Sequence, residues 1–204
     1  MSLENRCDSC FLQPISISRK VFGRARVIAV LSVKWLIASP QLVGNAGKSS
    51  ALNALTGNKK LARISKTPGR TTEINFFEVE ENFKLLDLPG YGFAKSGHSR
   101  KKDWGPLLGE YFENREALKA VLIFMDIRHP LKPIDLEMIE LCESFAVAYV
   151  PVLTKSDKVS KNILIKTIQQ VNKATNAQEV LAISSSKETG FEKLRKVLLS
   201  LKDG

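Results

Sequence analysis

Strand-like apolar runs alternate with helical segments along this chain, and this alternation constrains the fold more than any other feature. Residues 120–126 (AVLIFMD), 147–155 (VAYVPVLTK) and 179–184 (EVLAIS) have the composition of strands buried on both faces. The segments that follow them have the apolar spacing of helices, at residues 134–145, 162–174 and 190–202. The sequence therefore predicts an α/β fold, a mostly parallel sheet with helices on both faces.

The first half of the chain extends this pattern. Residues 27–38 form an apolar run that predicts one or two buried strands, and residues 48–57 predict a helix that stops at its final glycine. Residues 74–80 and 83–89 are strand-like and separated by two residues, so they predict a hairpin with one antiparallel edge strand. A further helix is predicted at about residues 104–118.

Length and composition indicate one globular unit. The chain has 204 residues, of which 44% are hydrophobic and 25% charged, as is typical of a domain with a core. We interpret residues 1–26 as an N-terminal extension, a candidate for poor order, and residues 27–204 as a single domain. Ligands of such sheets bind at the carboxyl ends of the strands, so each motif is judged by that position.

Charge and cysteine usage restrict partners and compartment. The net charge of +10 favours contact with a polyanion such as nucleic acid, although a merely basic surface gives the same number. The run at residues 27–38 is too short to span a bilayer, and no signal peptide is evident before it. Three cysteines, with a lone C-x-x-C, fit no disulfide framework or zinc site. We expect a cytoplasmic protein without a membrane span, and a monomer.

The tripeptide Gly47-Lys48-Ser49 follows an apolar run and begins a predicted helix, which is the context of a phosphate-binding loop. Backbone N–H groups at a helix start hold phosphate oxygens. Lys48 would reach the β and γ phosphates, and the Ser49 hydroxyl would bind Mg²⁺. Alone, the tripeptide fits an ordinary turn equally well.

Two further motifs have the chemistry of a triphosphate site. DLPG, which begins at Asp87, ends a strand, where the carboxylate would hold Mg²⁺ through water and the Gly90 N–H would bond the γ phosphate. TPGRTT, residues 67–72, precedes the hairpin, and a threonine there would complete the Mg²⁺ shell. Thr71 is the first candidate, with Thr72 and Thr67 as alternatives.

Two more motifs indicate guanine. TKSD, which ends at Asp157, follows a buried strand, and its aspartate can accept hydrogen bonds from N1 and the 2-amino group of guanine. Adenine offers no such pair of donors, so the site would reject it. Lys155 would pack its stem along the base and brace the loop. ISSS, residues 183–186, ends the last strand, where backbone N–H groups can contact the guanine O6.

Along the chain the five motifs run from Gly47-Lys48-Ser49 through TPGRTT, DLPG and TKSD to ISSS, which is the order of a guanine-nucleotide site. Three of them stand at clear strand ends, so we predict such a site with GTP or GDP and Mg²⁺ as ligands. We assign catalytic roles to Lys48, Thr71 and Gly90, and metal binding to Ser49 and Thr71. The nucleotide is expected to contact Gly44, Asn45, Ala46, Gly47, Lys48, Ser49, Ser50, Gly69, Arg70, Thr71, Thr72, Asp87, Leu88, Pro89, Gly90, Thr154, Lys155, Ser156, Asp157, Ile183, Ser184 and Ser185.

With these motifs the sequence resembles the translation-factor-related GTPases and, among them, the EngB (YihA/YsxC) family. The likeness rests on NAGKSSALN, SKTPGRTTEINFF, DLPGYGFA, MDIRHPLKPID and TKSDK, and covers about residues 44–204. It implies a Ras-like GTP-binding domain that hydrolyses GTP with Mg²⁺. It also implies a role in assembly of the large ribosomal subunit, with its precursor and ribosomal RNA as partners, and in normal cell division and septation.

The chain departs from the family at the entrance of the phosphate loop, where Leu42 replaces a glycine. A defective loop would leave a catalytically impaired guanine-nucleotide or RNA-binding protein, which is the alternative interpretation. Tyr91 stands where many GTPases place the glutamine that orients water, so slow intrinsic hydrolysis is expected. Asn45 is a candidate for seating K⁺, or simply a residue that suits a turn.

A basic stretch at residues 94–104 follows the DLPG motif and is interpreted as a switch that couples nucleotide state to RNA contacts, or as an ordinary solvated charge run. Arg128 to Pro130 are expected to extend this basic surface. His129 is not favoured as a catalytic base, because its strand end differs from that of the phosphate motifs.

Overall fold

The computed structural model describes residues 18–20, 34–38, 47–57, 75–80, 83–87 and 118–203. For the strands before residue 118 the backbone alone is described. Within these ranges seven strands form one sheet, and they are β1 Ser18–Lys20, β2 Lys34–Ala38, β3 Asn75–Glu80, β4 Phe83–Asp87, β5 Leu118–Asp126, β6 Tyr149–Thr154 and β7 Leu181–Ala182.

The strand order is β1-β3-β4-β2-β5-β6-β7. Strands β4, β2, β5, β6 and β7 are parallel neighbours, whereas β3 pairs antiparallel with both β4 and β1. The predicted α/β fold and the predicted hairpin are confirmed. The antiparallel strand is β3, but it lies one position in from the edge because β1 pairs outside it. Strand β1 comes from the segment that we predicted to be an extension.

Four helices accompany this sheet in the described part of the chain, namely α1 Lys48–Thr56, α2 Pro133–Ser144, α3 Lys161–Ala174 and α4 Phe191–Asp203. Helices α1 and α4 pack on one face, against Leu122 and Phe124 of β5. Helices α2 and α3 pack on the other face, against Ile123 and Met125. Successive β5 side chains therefore enter opposite cores, as predicted for a strand buried on both faces.

Local chemistry sets the helix ends. The Ser160 hydroxyl accepts a bond of 3.4 Å from the Ile163 N–H at the start of α3. At the start of α2, the Asp135 carboxylate accepts a bond of 3.0 Å from the Lys132 N–H. Helix α1 ends at Gly57, whose φ of 66° is a left-handed conformation that glycine adopts without strain.

Helix α4 is joined to α1 by a polar contact as well as by the core. The Arg195 guanidinium donates a bond of 3.2 Å to the Leu55 carbonyl in the last turn of α1. A cation at the C-terminal end of a helix also interacts favourably with the negative end of the helix dipole. Phe191, Leu194 and Leu198 of α4 lie in the same buried cluster as Leu52. The helix after the predicted phosphate loop is thus fixed by the helix that follows β7.

One predicted boundary is wrong. The helix predicted at about 104–118 cannot include Leu118, because this residue begins β5, pairs in register with Trp35 of β2 and is buried. Pairing with a neighbouring strand decided the conformation here, against a local helical pattern. Residues 104–117 lie outside the described residues. No helix in the described ranges is long and apolar enough to cross a membrane.

Candidate guanine-nucleotide site

The phosphate-loop tripeptide has the expected local structure. Gly47 precedes α1 with a φ of 83°, and its carbonyl accepts a bond of 2.7 Å from the Ala51 N–H. Lys48, Ser49 and Ser50 form the first turn of α1. The first turn of a helix has no intrahelical acceptors for its N–H groups, which is why anions bind there.

This loop lies against the motif predicted to recognise guanine. A Cβ added at Gly47 would be 3.4 Å from both Cβ and Oγ1 of Thr154, the last residue of β6. Asp87 ends β4 and pairs in register with Ala38 of β2, on the same carboxyl edge of the sheet. Three motifs distant in sequence therefore end at one edge, as predicted from their positions after strands.

The Asp157 carboxylate is held by the loop after β7. Its Oδ1 accepts a bond of 2.6 Å from the Ser184 hydroxyl, which is fully buried. Its Oδ2 lies 3.2 Å from Lys158 Nζ. The Ser184 bond, followed by other contacts including that with Lys158, lowers the pKa of Asp157 to about 2. The carboxylate is thus ionised at neutral pH, and accepting hydrogen bonds is what recognition of the guanine N1 and 2-amino groups requires.

Backbone bonds distinguish between the residues predicted to contact the guanine O6. The Ile183 N–H donates to the Leu153 carbonyl at 2.8 Å, and the Ser184 N–H donates to the Thr189 carbonyl at 3.0 Å. Both donors are therefore engaged within the protein. The half-buried Ser185 has no hydrogen bond from its N–H to any described residue. Of the three candidates, Ser185 has the donor best suited to the base.

Lys155 has a left-handed backbone, with φ 56° and ψ 37°, which costs a residue with a Cβ about 1–2 kcal/mol. Two backbone bonds hold this turn, from Lys158 N–H to the Lys155 carbonyl at 2.9 Å and from Ser156 N–H to the Ile183 carbonyl at 3.1 Å. Strained backbone of this kind clusters at functional sites, where surrounding contacts maintain it. Here it lies between Thr154 and Asp157.

The charged group beside Lys155 was not among the predicted site residues. Asp126, the last residue of β5, accepts a bond of 2.8 Å from Lys155 Nζ. The Arg128 guanidinium binds the same carboxylate, at 2.9 Å from Nε and 2.7 Å from its terminal nitrogen. Burial alone would raise the pKa of Asp126, but these bonds outweigh it and hold the pKa well below its usual range.

The Asp126 contacts also correct the expectation for Arg128. Although this side chain is about half exposed (46%), its guanidinium is committed to Asp126 and is not simply part of a basic surface. The sequence did contain a signal for the contact. A carboxylate ended a wholly apolar strand at the same sheet edge as the other motifs, two residues before an arginine.

Part of the predicted site lies outside the described residues. The roles assigned there stay predictions for Gly44, Asn45, Ala46, Gly69, Arg70, Thr71, Thr72, Leu88, Pro89 and Gly90. Leu42, Tyr91 and the basic stretch at 94–104 also lie outside. Within the described ranges, no group of three or more His, Cys, Asp or Glu side chains could hold a metal ion. The Mg²⁺ expected from the sequence would use the Ser49 and Thr71 hydroxyls together with phosphate oxygens, and Thr71 lies outside the described residues.

Comparison with known proteins decides the family. The family model of 50S ribosome-binding GTPases matches residues 43–155. The probable GTP-binding protein EngB of Mannheimia succiniciproducens is 50% identical over 154 residues, which are 74% of this chain and 75% of that protein. The corresponding protein of Glaesserella parasuis is 51% identical over 154 residues, with 74% of each chain covered. This chain belongs to the EngB family of GTP-binding proteins.

Solved structures agree on the fold of this EngB-family chain. The crystal structure of a probable GTP-binding protein EngB has a TM-score of 0.65 at 21% identity and covers 82% of this chain and 97% of that one. Era, in complex with MgGDPNP and nucleotides 1506–1542 of 16S ribosomal RNA, has a TM-score of 0.63 at 20% identity, over 83% and 57%. The Ras-like GTPase fold implied by the sequence is confirmed, and the chain is a GTP-binding protein of a GTPase family.

Proposed function

We propose that this EngB-family chain hydrolyses GTP as a switch in assembly of the large ribosomal subunit, and that normal cell division and septation depend on it. The observation that carries the nucleotide half of this proposal is the bond between Ser184 and Asp157, at the sheet edge where α1 begins. It orients an ionised acceptor beside a phosphate-binding helix start. The subunit and the cellular role are those implied by the EngB family.

Each residue of the proposed site has a separate role in binding the nucleotide. Asp157 accepts from the guanine edge, the Ser185 N–H donates to O6, and the stem of Lys155 lies along the ring. The N–H groups after Gly47 hold phosphate oxygens, and Lys48 neutralises charge on the β and γ phosphates. Ser49 and Thr71 would hold Mg²⁺, which supplies further charge neutralisation during transfer to water. The Gly90 N–H holds the γ phosphate.

Hydrolysis without a partner is expected to be slow, because Tyr91 replaces the glutamine that orients water in many GTPases. We propose that a cation seated by Asn45 supplies the missing positive charge, as an arginine finger does elsewhere. Replacing Na⁺ by K⁺ should then accelerate hydrolysis measured as phosphate release. An equal rate in both salts would remove K⁺ from the mechanism.

Charge supports a ribosomal RNA partner. The protein has a net charge of +10, and α3 contains three lysines and no acidic residue. Asn162, Lys166, Gln169 and Lys173 are exposed, and their spacing of three and four residues places them on one side of the helix. Lysines and amides of this kind contact phosphate and sugar oxygens without reading sequence. We propose that this α3 stripe binds the phosphate and sugar backbone of RNA. We also propose that the protein is cytoplasmic and monomeric.

Sedimentation with precursors of the large subunit tests the switch. The protein should pellet with the precursor when bound to a non-hydrolysable GTP analogue and remain largely in the supernatant with GDP. Precursors of the small subunit are the matched control. Equal co-sedimentation in both nucleotide states would contradict a switch, and equal binding to both precursors would contradict the choice of subunit.

The alternative function, a catalytically impaired protein with a defective phosphate loop, rests on Leu42. The left-handed Gly47 and the regular start of α1 form the C-terminal end of the phosphate loop, and their geometry favours the working site over the defective one. Leu42→Gly separates the two functions. An unchanged GTP affinity supports the working site, whereas a large gain in affinity would mean that the entrance is impaired.

A further inference from the structure

The Asp126 carboxylate accepts four hydrogen bonds beside the proposed guanine site. Its side chain is 8% exposed. Oδ1 accepts from Arg128 Nε at 2.9 Å and from the Arg128 backbone N–H at 3.1 Å. Oδ2 accepts from the Arg128 terminal nitrogen at 2.7 Å and from Lys155 Nζ at 2.8 Å. Three bonds from one arginine leave the carboxylate a single orientation, and the fourth bond fixes Lys155.

The place of Asp126 in the sheet explains why it reaches this lysine. Asp126 pairs in register with Thr154, so it lies beside the point at which β6 enters the guanine-recognition turn. Lys155 is the next residue, and Asp157 follows two positions later. The ion pair therefore joins the end of one strand to the turn after its neighbour, across 29 residues of sequence.

We propose that Asp126, clamped by Arg128, is a positioning residue for guanine binding, because it holds the Lys155 ammonium and so presets the Lys155 stem where the base packs. This inference rests on the proposed guanine site. It adds a function for two residues that do not touch the nucleotide in that site.

The physical reason is pre-organisation. A free lysine stem has four rotatable bonds, and its freedom is lost when a ring packs on it. Because Asp126 has already removed that freedom, nucleotide binding does not have to. Packing on the methylene stem also leaves the ammonium free to keep its bond to Asp126. Without the carboxylate, Lys155 and Arg128 would be neighbouring cations, and the lysine would swing toward solvent.

Asp126→Asn tests the proposal with two nucleotides, GDP and inosine diphosphate, which lacks the 2-amino group. Stem packing concerns the ring face and not its edge, so both affinities should fall on the order of tenfold, with their ratio unchanged. Arg128→Ala should lower both affinities less, because the bond to Lys155 remains. Glu179→Gln, which breaks the pair between Glu179 and Lys193 on α4, is the matched control and should change neither.

A double-mutant cycle protects the test against a general loss of structure. Lys155→Met keeps an apolar stem but removes the ammonium, and it leaves Asp126 bonded to Arg128. If Asp126 acts through Lys155, then Asp126→Asn together with Lys155→Met should bind GDP no more weakly than the more affected single variant. Multiplied losses in the double variant would overturn the proposal.

Two further outcomes would also overturn it. Unchanged nucleotide affinity in Asp126→Asn, with a lower melting temperature, would mean that the cluster serves only stability. A loss for GDP without a loss for inosine diphosphate would mean that the turn carrying Asp157 had moved instead. If the proposed guanine site itself is wrong, the wild-type protein would bind ADP as well as GDP. That result distinguishes failure of the site from failure of the role proposed for Asp126.

Discussion

The buried hydroxyl of Ser184 donates a hydrogen bond of 2.6 Å to the Asp157 carboxylate, and so joins the loop after β7 to the turn after β6. Ser184 is held in place by two further contacts. The Lys187 N–H donates to the Ser184 hydroxyl oxygen at 3.2 Å, and the Ser184 backbone forms an isolated β-bridge with Thr189. The proposed acceptor for guanine is thus oriented by a residue 27 positions away in sequence.

Ser184→Ala should weaken GDP binding about tenfold or more, because a hydrogen bond to a charged group contributes roughly 1.5–3 kcal/mol. Titration of a fluorescent GDP analogue measures this loss. Ser200→Ala is the control, since the Ser200 hydroxyl donates to the Val197 carbonyl of its own helix. Equal affinities of Ser184→Ala and the wild-type protein would show that Asp157 does not need this orientation.

Gly47→Ala should abolish or strongly weaken nucleotide binding. Its φ of 83° is strained for any residue with a Cβ, at about 1–2 kcal/mol, and the strain falls on the turn proposed to present N–H groups to phosphate. Gly57→Ala is a matched control, because Gly57 has a φ of 66° at the other end of α1. Both variants should melt at lower temperatures, but only Gly47→Ala should lose GDP affinity. Parallel losses in calorimetric titrations would contradict a local role for Gly47.

The contribution of Asp126 to stability should depend on pH in a defined window. Burial opposes ionisation, but the bonds from Arg128 and Lys155 prevail, so the folded-state pKa lies below the usual 3.8. A lowered carboxylate pKa adds stability above the unfolded value, and this stability is lost as pH falls toward the folded value. The difference in unfolding free energy between wild type and Asp126→Asn should be constant from about pH 8 to 5 and shrink below about pH 4.

Urea denaturation at several pH values measures that difference. The comparison must use each variant's own baseline, because other carboxylates titrate in the same acidic range. If this difference in unfolding free energy already shrinks while the pH is lowered from about 8 to 5, Asp126 is not held ionised by its two partners.

Lys166→Glu with Lys173→Glu tests the α3 stripe. Each lysine that no longer binds a phosphate should reduce the magnitude of the negative slope of log affinity against log salt by roughly 0.7–0.9. The double variant should therefore bind large-subunit precursors more weakly and with less salt dependence. Lys193→Glu with Lys196→Glu is the control. These lysines already pair with Glu179 and Glu192 on the α4 side. A similar loss of affinity in both double variants would indicate net charge alone.

Sequence patterns predicted most of the architecture, because each apolar run ended in a polar motif and parallel strands end at one edge. The same reasoning placed Gly47, Thr154 and Asp157 at a common site from the sequence alone. Strand β1 escaped prediction, because three basic and polar residues, Ser18–Lys20, carry no periodic signal. Its existence depends on pairing with β3, which is a tertiary contact.

The polar connections within the site were harder to predict, since each one joins residues far apart in sequence. Asp126 belongs to a strand whose apolar composition directed attention to the core, and its partner Lys155 lies 29 residues later. Likewise, only backbone geometry separates Ser185 from Ile183 and Ser184 as the donor to the base. Composition identifies which groups are present, but the register of β5 against β6 decides which of them meet.

The bond from Arg195 to the Leu55 carbonyl has a consequence for the newborn chain. The two residues are 140 positions apart, so at 5–20 residues per second the ribosome makes Arg195 roughly 7–28 seconds after Leu55. Until α4 has been translated, the inner side of α1 lacks Phe191, Leu194 and Leu198, which complete its hydrophobic surroundings. The helix proposed to hold phosphate is thus translated early and packed late, so we expect guanine-nucleotide binding only after α4 has been translated.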